Sequence, residues 1–580
     1  MNIPVRHYRD LLLRYLAPHR AAVLALAVLL LGSIGLQLAG PQVVRTFIDA
    51  AQTGGAPEQL TSIAVLFIGL AIAQQALSVA ATFYGERLGW SATNALRADL
   101  MLHCLRLDLS FHKARTPGEL IERIDGDVTA LANFFSQFVV EIVGNIILLL
   151  GVLVVLWGVD WRAGAAFTVF AVIVLTAMDR VRGVGIPYWR ASRQAIAELF
   201  GFVEERLAGT EDIRSSGAPA YVMRRLYAYT RERIRTGRKA RLMGAVGEGV
   251  NIVSFFAGNG LAFVVTADLY RQGALTLGSA YLIYGYTWLL FRPLRKIAQQ
   301  VEDFQKASAG IVRIQELMET TSALQEGPGV AVPAGPLAVE FERVSFGYGD
   351  DDMVVCELTF SLQRGEVLGL LGRTGSGKTT ITRLLFRLYD PATGAIRLSG
   401  VDLRAARRAD VRRRIGMVTQ DVQLFRATVR DNVTFFDRQI DDARIMAALD
   451  NLGLTEWCRA LPQGLDTMLG PNGGGLSAGE GQLLAFTRVF LKDPGLVILD
   501  EASSRLDPAT EGLIERAVDT LLAGRTGIII AHRLATVQRA DKIMVMERGR
   551  IAEVGGREAL AADVDSRFAG LLRSGLQVPA

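Results

Sequence analysis

The sequence predicts a two-part molecule: an all-α domain of six membrane-crossing helices, followed by an α/β domain built on a largely parallel sheet. Three observations lead there. The chain has 580 residues, too many for one compact domain, and 50% of them are hydrophobic. That hydrophobicity is uneven: apolar stretches of about 17–25 residues, enough to cross a bilayer as helices, recur as far as Phe291 and then stop. Beyond a break rich in glycine and proline, short β-rich runs alternate with helical patterns, the mark of a parallel α/β sheet.

The expected spans cover residues 21–39, 63–84, 138–157, 163–178, 249–267 and 275–291, the fourth being the shortest. The first run is followed by Pro41 and Arg45 rather than a small-residue cleavage site, so it reads as a retained span. Arginines crowd 6–20, 97–123 and 180–241, whereas the opposite loops hold few, among them Arg45, Arg162 and Arg271. Positive residues stay on the cytoplasmic side. Both termini and the α/β domain are therefore expected in the cytoplasm, with the lipid bilayer of the cell (inner or plasma) membrane as a partner. The net charge of +5 is small for the length, and the basic runs flank the spans, so they argue for topology and against a nucleic-acid surface. Cys104, Cys356 and Cys458 have no metal-type spacing and read as reduced, inert thiols.

Residues 86–133 and 179–246 form long, polar, helix-compatible excursions. Structureless loops of that length are uncommon, so the membrane helices are expected to continue into the cytoplasm. Residues 107–113 and 218–226 would be the distal tips, suited to contact a cytoplasmic domain. The membrane domain is assigned 1–321. The segment 322–336, with Gly327, Pro328, Gly329, Pro333, Gly335 and Pro336, is the linker, and 337–580 the α/β domain. Its strands are expected at 338–341, 367–371, 415–418, 496–499, 527–530 and 543–546.

The strand 367–371 runs into Gly372, Arg373, Thr374, Gly375, Ser376, Gly377, Lys378 and Thr379, with Thr380 continuing into a helical pattern. This is G-x-x-x-x-G-K-[ST] in its strand–loop–helix context. Glycines let backbone N–H groups face phosphates, and the helix N-terminus adds a favourable dipole. Lys378 would reach the β- and γ-phosphates of ATP and Thr379 a Mg²⁺ ion. A second apolar strand, 496–499, ends in Asp500 and Glu501. Asp500 suits the Mg²⁺ shell, and Glu501 stands where a carboxylate could polarise an attacking water.

Between and beyond these lie Gln420, the segment Leu476-Ser477-Ala478-Gly479-Glu480, and His532 at the end of a strand. In motif order and spacing, over essentially the whole chain, the sequence resembles an ATP-binding cassette (ABC) half-transporter of the exporter fold. The resemblance implies an ATPase that drives transport after pairing with a second half-transporter. It implies that Tyr348 stacks on adenine and that Gln420 links the Mg²⁺ site to the membrane domain. It makes 476–480 the signature, with Ser477 and Gly479 closing on ATP held by the opposite subunit. It also implies that Asp507 reaches across the dimer, that His532 contacts the γ-phosphate, and that the two tips are coupling helices.

The family's signature reads L-S-G-G-Q followed by Arg. Here Ala478, Glu480 and Gly481 replace one of the two glycines, the glutamine and the arginine. Arg505 stands for a loop alanine and Met468 for a glutamate ahead of the signature. The phosphate loop, Glu501 and His532 are intact. The expectation is an unlike pair in which ATP held by this chain is hydrolysed and ATP held by its partner meets a damaged signature. A homodimer, an uptake pump on the same fold and a non-catalytic regulatory subunit are the alternatives. The substrate is open among drugs, lipids, peptides and siderophores. Tyr281, Tyr284 and Trp288 share a helical face, and Glu141 and Asn145 lie one turn apart; both groups fit packing or solvation as well as a ligand.

Overall fold

The computed structural model describes residues 14–137, 142–349, 352–419, 422–470, 474–500, 508–531 and 534–573, the side chains of 133–137, 297–308, 508–510 and 534–535 excepted. It divides into two compact units, Met1–Leu105 with Pro117–Thr320, and Arg106–Thr116 with Thr321–Ala580.

The first unit is helical. Its long helices are Arg20–Gln52, Pro57–Arg106, Gly144–Val159, Trp161–Ala208, Pro219–Arg271 and Leu277–Glu319. Among the described residues four helices are long and apolar enough to cross a membrane, and Gly144–Val159 is a shorter apolar helix. The expected third span began at residue 138, and 138–141 lie outside the described residues. The expected sixth span falls on the start of Leu277–Glu319. At 1.5 Å per residue the 53-residue helix Pro219–Arg271 is roughly 80 Å long, more than twice the thickness of a bilayer core. Leu148, Val152, Leu156, Phe167 and Tyr286 form a dry core, whereas Leu24, Val65, Ile68 and Phe263 stay exposed on the outer faces. Such faces suit hydrocarbon, with backbone groups satisfied inside each helix. Asp127 pins the helix Asp127–Gln137 to Leu277–Glu319 by a two-point ion pair with Arg313, one contact being 2.8 Å from Nε.

The second excursion differs from expectation. Trp161–Ala208 is followed by the short helix Thr210–Ser215, Gly217 turns at φ +62°, and Pro219 opens the next helix. The tip therefore lies at 209–218. Residues 219–226 are the first turns of a long helix, because proline at the first helical position starts a helix at no hydrogen-bond cost.

The second unit carries two sheets. The strands are β1 (Val339–Gly347), β2 (Met353–Leu362), β3 (Val367–Gly372), β4 (Thr393–Leu398), β5 (Val401–Asp402), β6 (Ile415–Val418), β7 (Leu496–Asp500), β8 (Thr526–Ile530), β9 (Lys542–Glu547) and β10 (Arg550–Gly556). An antiparallel sheet runs β2-β1-β4-β5, and a six-stranded sheet runs β10-β9-β3-β8-β7-β6. From β9 to β6 the pairing is parallel, so five of these strands point their C-terminal ends to one edge beside the phosphate loop. Every residue of β3 is buried, as a central parallel strand covered on both faces requires.

The short helix Leu109–Lys113 also belongs to this unit. Asp108 caps it by accepting from Phe111 N at 3.1 Å, and accepts as well from Ala323 N (2.7 Å) and the Ser322 hydroxyl (3.1 Å). Residues 322–336 have no regular structure yet are firmly packed. Leu324 and Val332 are buried, Glu326 pairs with Arg408, and Gly329 and Val330 donate to the Ala405 carbonyl. A Cβ at Gly327 would strike the Arg404 carbonyl oxygen, and Gly329 takes φ +95°. Glycine here permits close approach and a left-handed backbone as much as it breaks regular structure.

Candidate functional site

The site grows from the end of β3. Gly372, Gly375 and Gly377 have φ of +148°, +82° and +103°, the conformations that glycine adopts without strain. A Cβ at Gly377 would press on Val355 Cγ1 at 2.8 Å, whereas one at Gly375 would meet nothing within 4 Å among the described residues. The loop is thus tight against the sheet behind it and open in front. Arg373, Thr374, Gly375 and Thr379 are exposed, while Ser376, Lys378 and Thr380 are buried. The Lys378 ammonium donates to the carbonyls of Gly372 (2.7 Å) and Arg373 (2.9 Å). Among the described residues Ser376 Oγ is buried without a hydrogen-bond partner. The helix Lys378–Leu385 begins at Gly377. Among the described residues no side chain caps this helix, and its N-terminal dipole favours an anion. A triphosphate fits this donor set.

Tyr348 stands beside the loop, 39% exposed. Its hydroxyl lies 3.1 Å from Thr380 Oγ1 and accepts from Arg383 at 2.8 Å. The Lys113 ammonium sits 4.1 Å from the centre of its ring, a cation–π contact from the tip helix. Asp500 ends β7, in register with Ile530 of β8. The parallel pairing thereby gathers the ends of β3, β7, β8 and β6 at one edge, from which Glu501, His532 and Gln420 follow in sequence. Glu501, His532, Gln420, Asp507, Arg505 and Glu141 themselves lie outside the described residues.

The signature forms a second helix N-terminus of opposite character. Ser477 caps the helix Ala478–Lys492, its Oγ accepting from Glu480 N at 3.2 Å. The Glu480 carboxylate turns back on the same cap: Oε2 accepts from Ser477 N at 2.7 Å and Oε1 from the Trp457 indole N–H at 2.7 Å. This is a capping box extended by a tryptophan. Gly479 and Gly481 are buried, and a Cβ on Gly481 would lie 3.5 Å from Leu424 Cδ1. Met468 is exposed and forms an antiparallel bridge with Thr428.

Several residues here escaped the sequence reading. Arg488 donates to the carbonyls of Asn432 (2.7 Å) and Gln423 (2.8 Å) and to Asn432 Oδ1 (3.0 Å), fixing the stretch just after Gln420. Burial pushes its guanidinium down to about 10. Trp457, Lys113 and Asp108 likewise carried no local signal. For Glu480 a signal did exist, since Ser-x-x-Glu ahead of an apolar run spells the capping box.

The comparisons agree with this architecture. Residues 23–294 match the family model described as ABC transporter transmembrane region, and residues 355–504 the one described as ABC transporter. An uncharacterised ABC transporter ATP-binding protein of Bacillus subtilis is 28% identical over 94% of this chain and 91% of its own. An ATP-dependent lipid A-core flippase of Ralstonia nicotianae is 30% identical, over 92% of this chain and 90% of its own. The solved structure of a bacterial Atm1-family ABC exporter with ATP bound matches with a TM-score of 0.79 at 27% identity, covering 97% of this chain and 99% of that one.

Proposed function

The chain belongs to the ABC transporter family, as a membrane-spanning half-transporter of the exporter fold whose cassette couples ATP hydrolysis to transport, and from that premise we propose that it is the hydrolytic half of an unlike pair with one impaired ATP site. One observation carries the reading: among the described residues no side chain caps the helix after the phosphate loop, whereas Glu480 turns back on the cap of the signature helix. A helix N-terminus attracts an anion through unclaimed N–H groups and its dipole. At the signature those groups already face a carboxylate.

On this reading ATP lies across this chain's loop, with adenine on the face of Tyr348 opposite Lys113 and the phosphates between Lys378 and the loop N–H groups. Thr379, Asp500 and Gln420 would hold Mg²⁺, which supplies charge neutralisation between the phosphates. Glu501 orients and polarises the attacking water, and His532 holds the γ-phosphate. The partner's intact signature completes this site. ATP held by the partner meets Ser477 and Gly479 beside Glu480 and closes weakly. The arginine excess on the long excursions supports a cytoplasmic cassette and cytoplasmic termini. The lipid A-core flippase relatives support outward movement of an amphipathic, lipid-related substrate. The purified complex carrying Glu501→Gln tests the catalytic assignment: turnover is expected to fall nearly to zero, and retained turnover would refute it.

A further inference from the structure

Neighbours within the cassette fix the ring of Tyr348, and one residue from far upstream reaches it as well. Its hydroxyl lies 3.1 Å from Thr380 Oγ1 and accepts from Arg383 at 2.8 Å. The rings of Phe346 and Tyr389 meet it nearly at right angles, their centres 5.1 and 5.3 Å away. The Lys113 ammonium lies over the Tyr348 ring, 4.1 Å from its centre, and 5.9 Å from the centre of Tyr389. Tyr348 is nonetheless 39% exposed. A cation that close covers one ring face and leaves the other to be stacked upon.

The tip helix Leu109–Lys113 is anchored so that Lys113 points there. Asp108 caps it and accepts from Ser322 and Ala323. Leu109 packs against the core cluster that contains Phe346 and Tyr389. Residues four apart share a helix face, so seating Leu109 on that core brings Lys113 over the same aromatic group. An ammonium is strongly hydrated on a flexible stem, and resting on a ring offsets the water it gives up only through the ring's negative face. That contact changes the ring. Two π faces carry like partial charge, which disfavours direct stacking. A cation on the far face draws density from the near one and eases the repulsion felt by an electron-rich purine.

We propose that Lys113 is a positioning residue of the nucleotide site: it holds one face of Tyr348 and, through the ring, strengthens stacking of a purine on the other. The inference rests on the reading that adenine stacks on Tyr348 and deepens it by naming a residue outside the cassette motifs that sets affinity for the base. Because Lys113 acts on the base and not on the phosphates, its effect vanishes for a ligand that has no base.

The test is displacement of tracer 8-azido-ATP, photocrosslinked on ice in EDTA to the intact complex, with this chain then isolated by gel electrophoresis. Unlabelled ATP and inorganic tripolyphosphate are the competitors. Lys113→Met keeps the length and removes the charge. It is expected to raise the ATP concentration for half-displacement about two- to fivefold, the scale of a partly exposed cation–π contact, and to leave that for tripolyphosphate where it was. Lys113→Arg should restore the parent value, since a guanidinium serves equally in such contacts. Tyr348→Leu should weaken ATP by itself, and adding Lys113→Met to it should do nothing more. Melting curves of the variants report folding. Equal weakening of tripolyphosphate would show the charge acting on the phosphates, and tighter ATP binding would show Lys113 blocking the stacking face; either overturns the proposal. So does a Lys113→Met effect that persists in full beside Tyr348→Leu, the mark of a loosened tip helix. If Tyr348→Leu weakens ATP and Lys113→Met does not, this inference alone fails. If Tyr348→Leu binds ATP as the parent does, the adenine reading fails with it.

Discussion

Replacing Glu480 with glutamine removes one charge from the mouth of the signature helix, and two consequences of opposite sign follow. The carboxylate accepts from two donors, Ser477 N and Trp457 Nε1, each at 2.7 Å. The amide keeps one acceptor oxygen and turns an NH₂ group toward the other donor, so a charge-assisted bond worth about 1.5–3 kcal/mol is lost. For a cassette of this size that corresponds to a fall of roughly 3–12 °C in melting temperature. Against this, the negative charge that faces the partner's triphosphate disappears. A carboxylate and a phosphate charge ~4 Å apart repel by about 1 kcal/mol in water and about 4 kcal/mol near a protein surface. The two donors on Glu480 offset part of its field, which places the expected gain near the low end, about tenfold in closure. The assay uses the complex with Glu501→Gln, loaded with labelled ATP and passed rapidly through a desalting column. Glu480→Gln is expected to slow release of the partner-held ATP by about tenfold while lowering the melting temperature. A purely structural role for Glu480 would move both readouts downward together. Retention that falls with stability, or does not change, would refute the electrostatic reasoning.

Asp108 joins the tip helix to the segment after the membrane domain. Burial pushes its carboxyl up, but hydrogen bonds from Ala323 N, Phe111 N and the hydroxyls of Ser322 and Ser110 outweigh that and hold it below the usual aspartate range. Because the folded value is the lower one, its stabilisation is present above about pH 4 and fades as pH falls through the folded value. Asp108→Asn should cost about 1–2 kcal/mol at pH 7, and its melting curve should converge with the parent's as pH drops below about 4. Arg488→Met keeps the apolar stem but strips a donor from the carbonyls of Asn432 and Gln423. A loss of about 2–3 kcal/mol is expected from melting curves, with slower turnover because the stretch after Gln420 loosens.

The spans and the phosphate loop were legible because each is written in consecutive residues: apolar length in one case, glycine spacing before Lys378 in the other. What the sequence hid depends on contacts between distant segments. Trp457 reaches Glu480 across 23 positions, and nothing near either residue marks the pair. The Ser-x-x-Glu box is written in the sequence, but the family resemblance bears on the glutamine that Glu480 replaces and says nothing of the cap that it makes. The glycines and prolines of 322–336 read as a linker, and only the neighbouring backbone of Arg404 and Ala405 explains why glycine is needed there. The stripe Tyr281, Tyr284, Trp288 also divides: Tyr284 stacks on Phe263 at 5.7 Å, and Trp288 alone of the three lines the cavity walled by Phe255, Phe256 and Phe291. Helical periodicity places residues on a face, and neighbouring helices then decide whether each packs or lines a cavity.

The pairing of an intact phosphate loop with a self-capped signature is tested most directly by the native mass and subunit identity of the complex recovered through a tag on this chain, expressed in its own host. The account predicts one copy of this chain with one copy of a different half-transporter, whose signature is intact and whose catalytic glutamate is missing. A dimer of this chain alone would contradict it, leaving Glu480 as a tolerated variant in two equivalent sites.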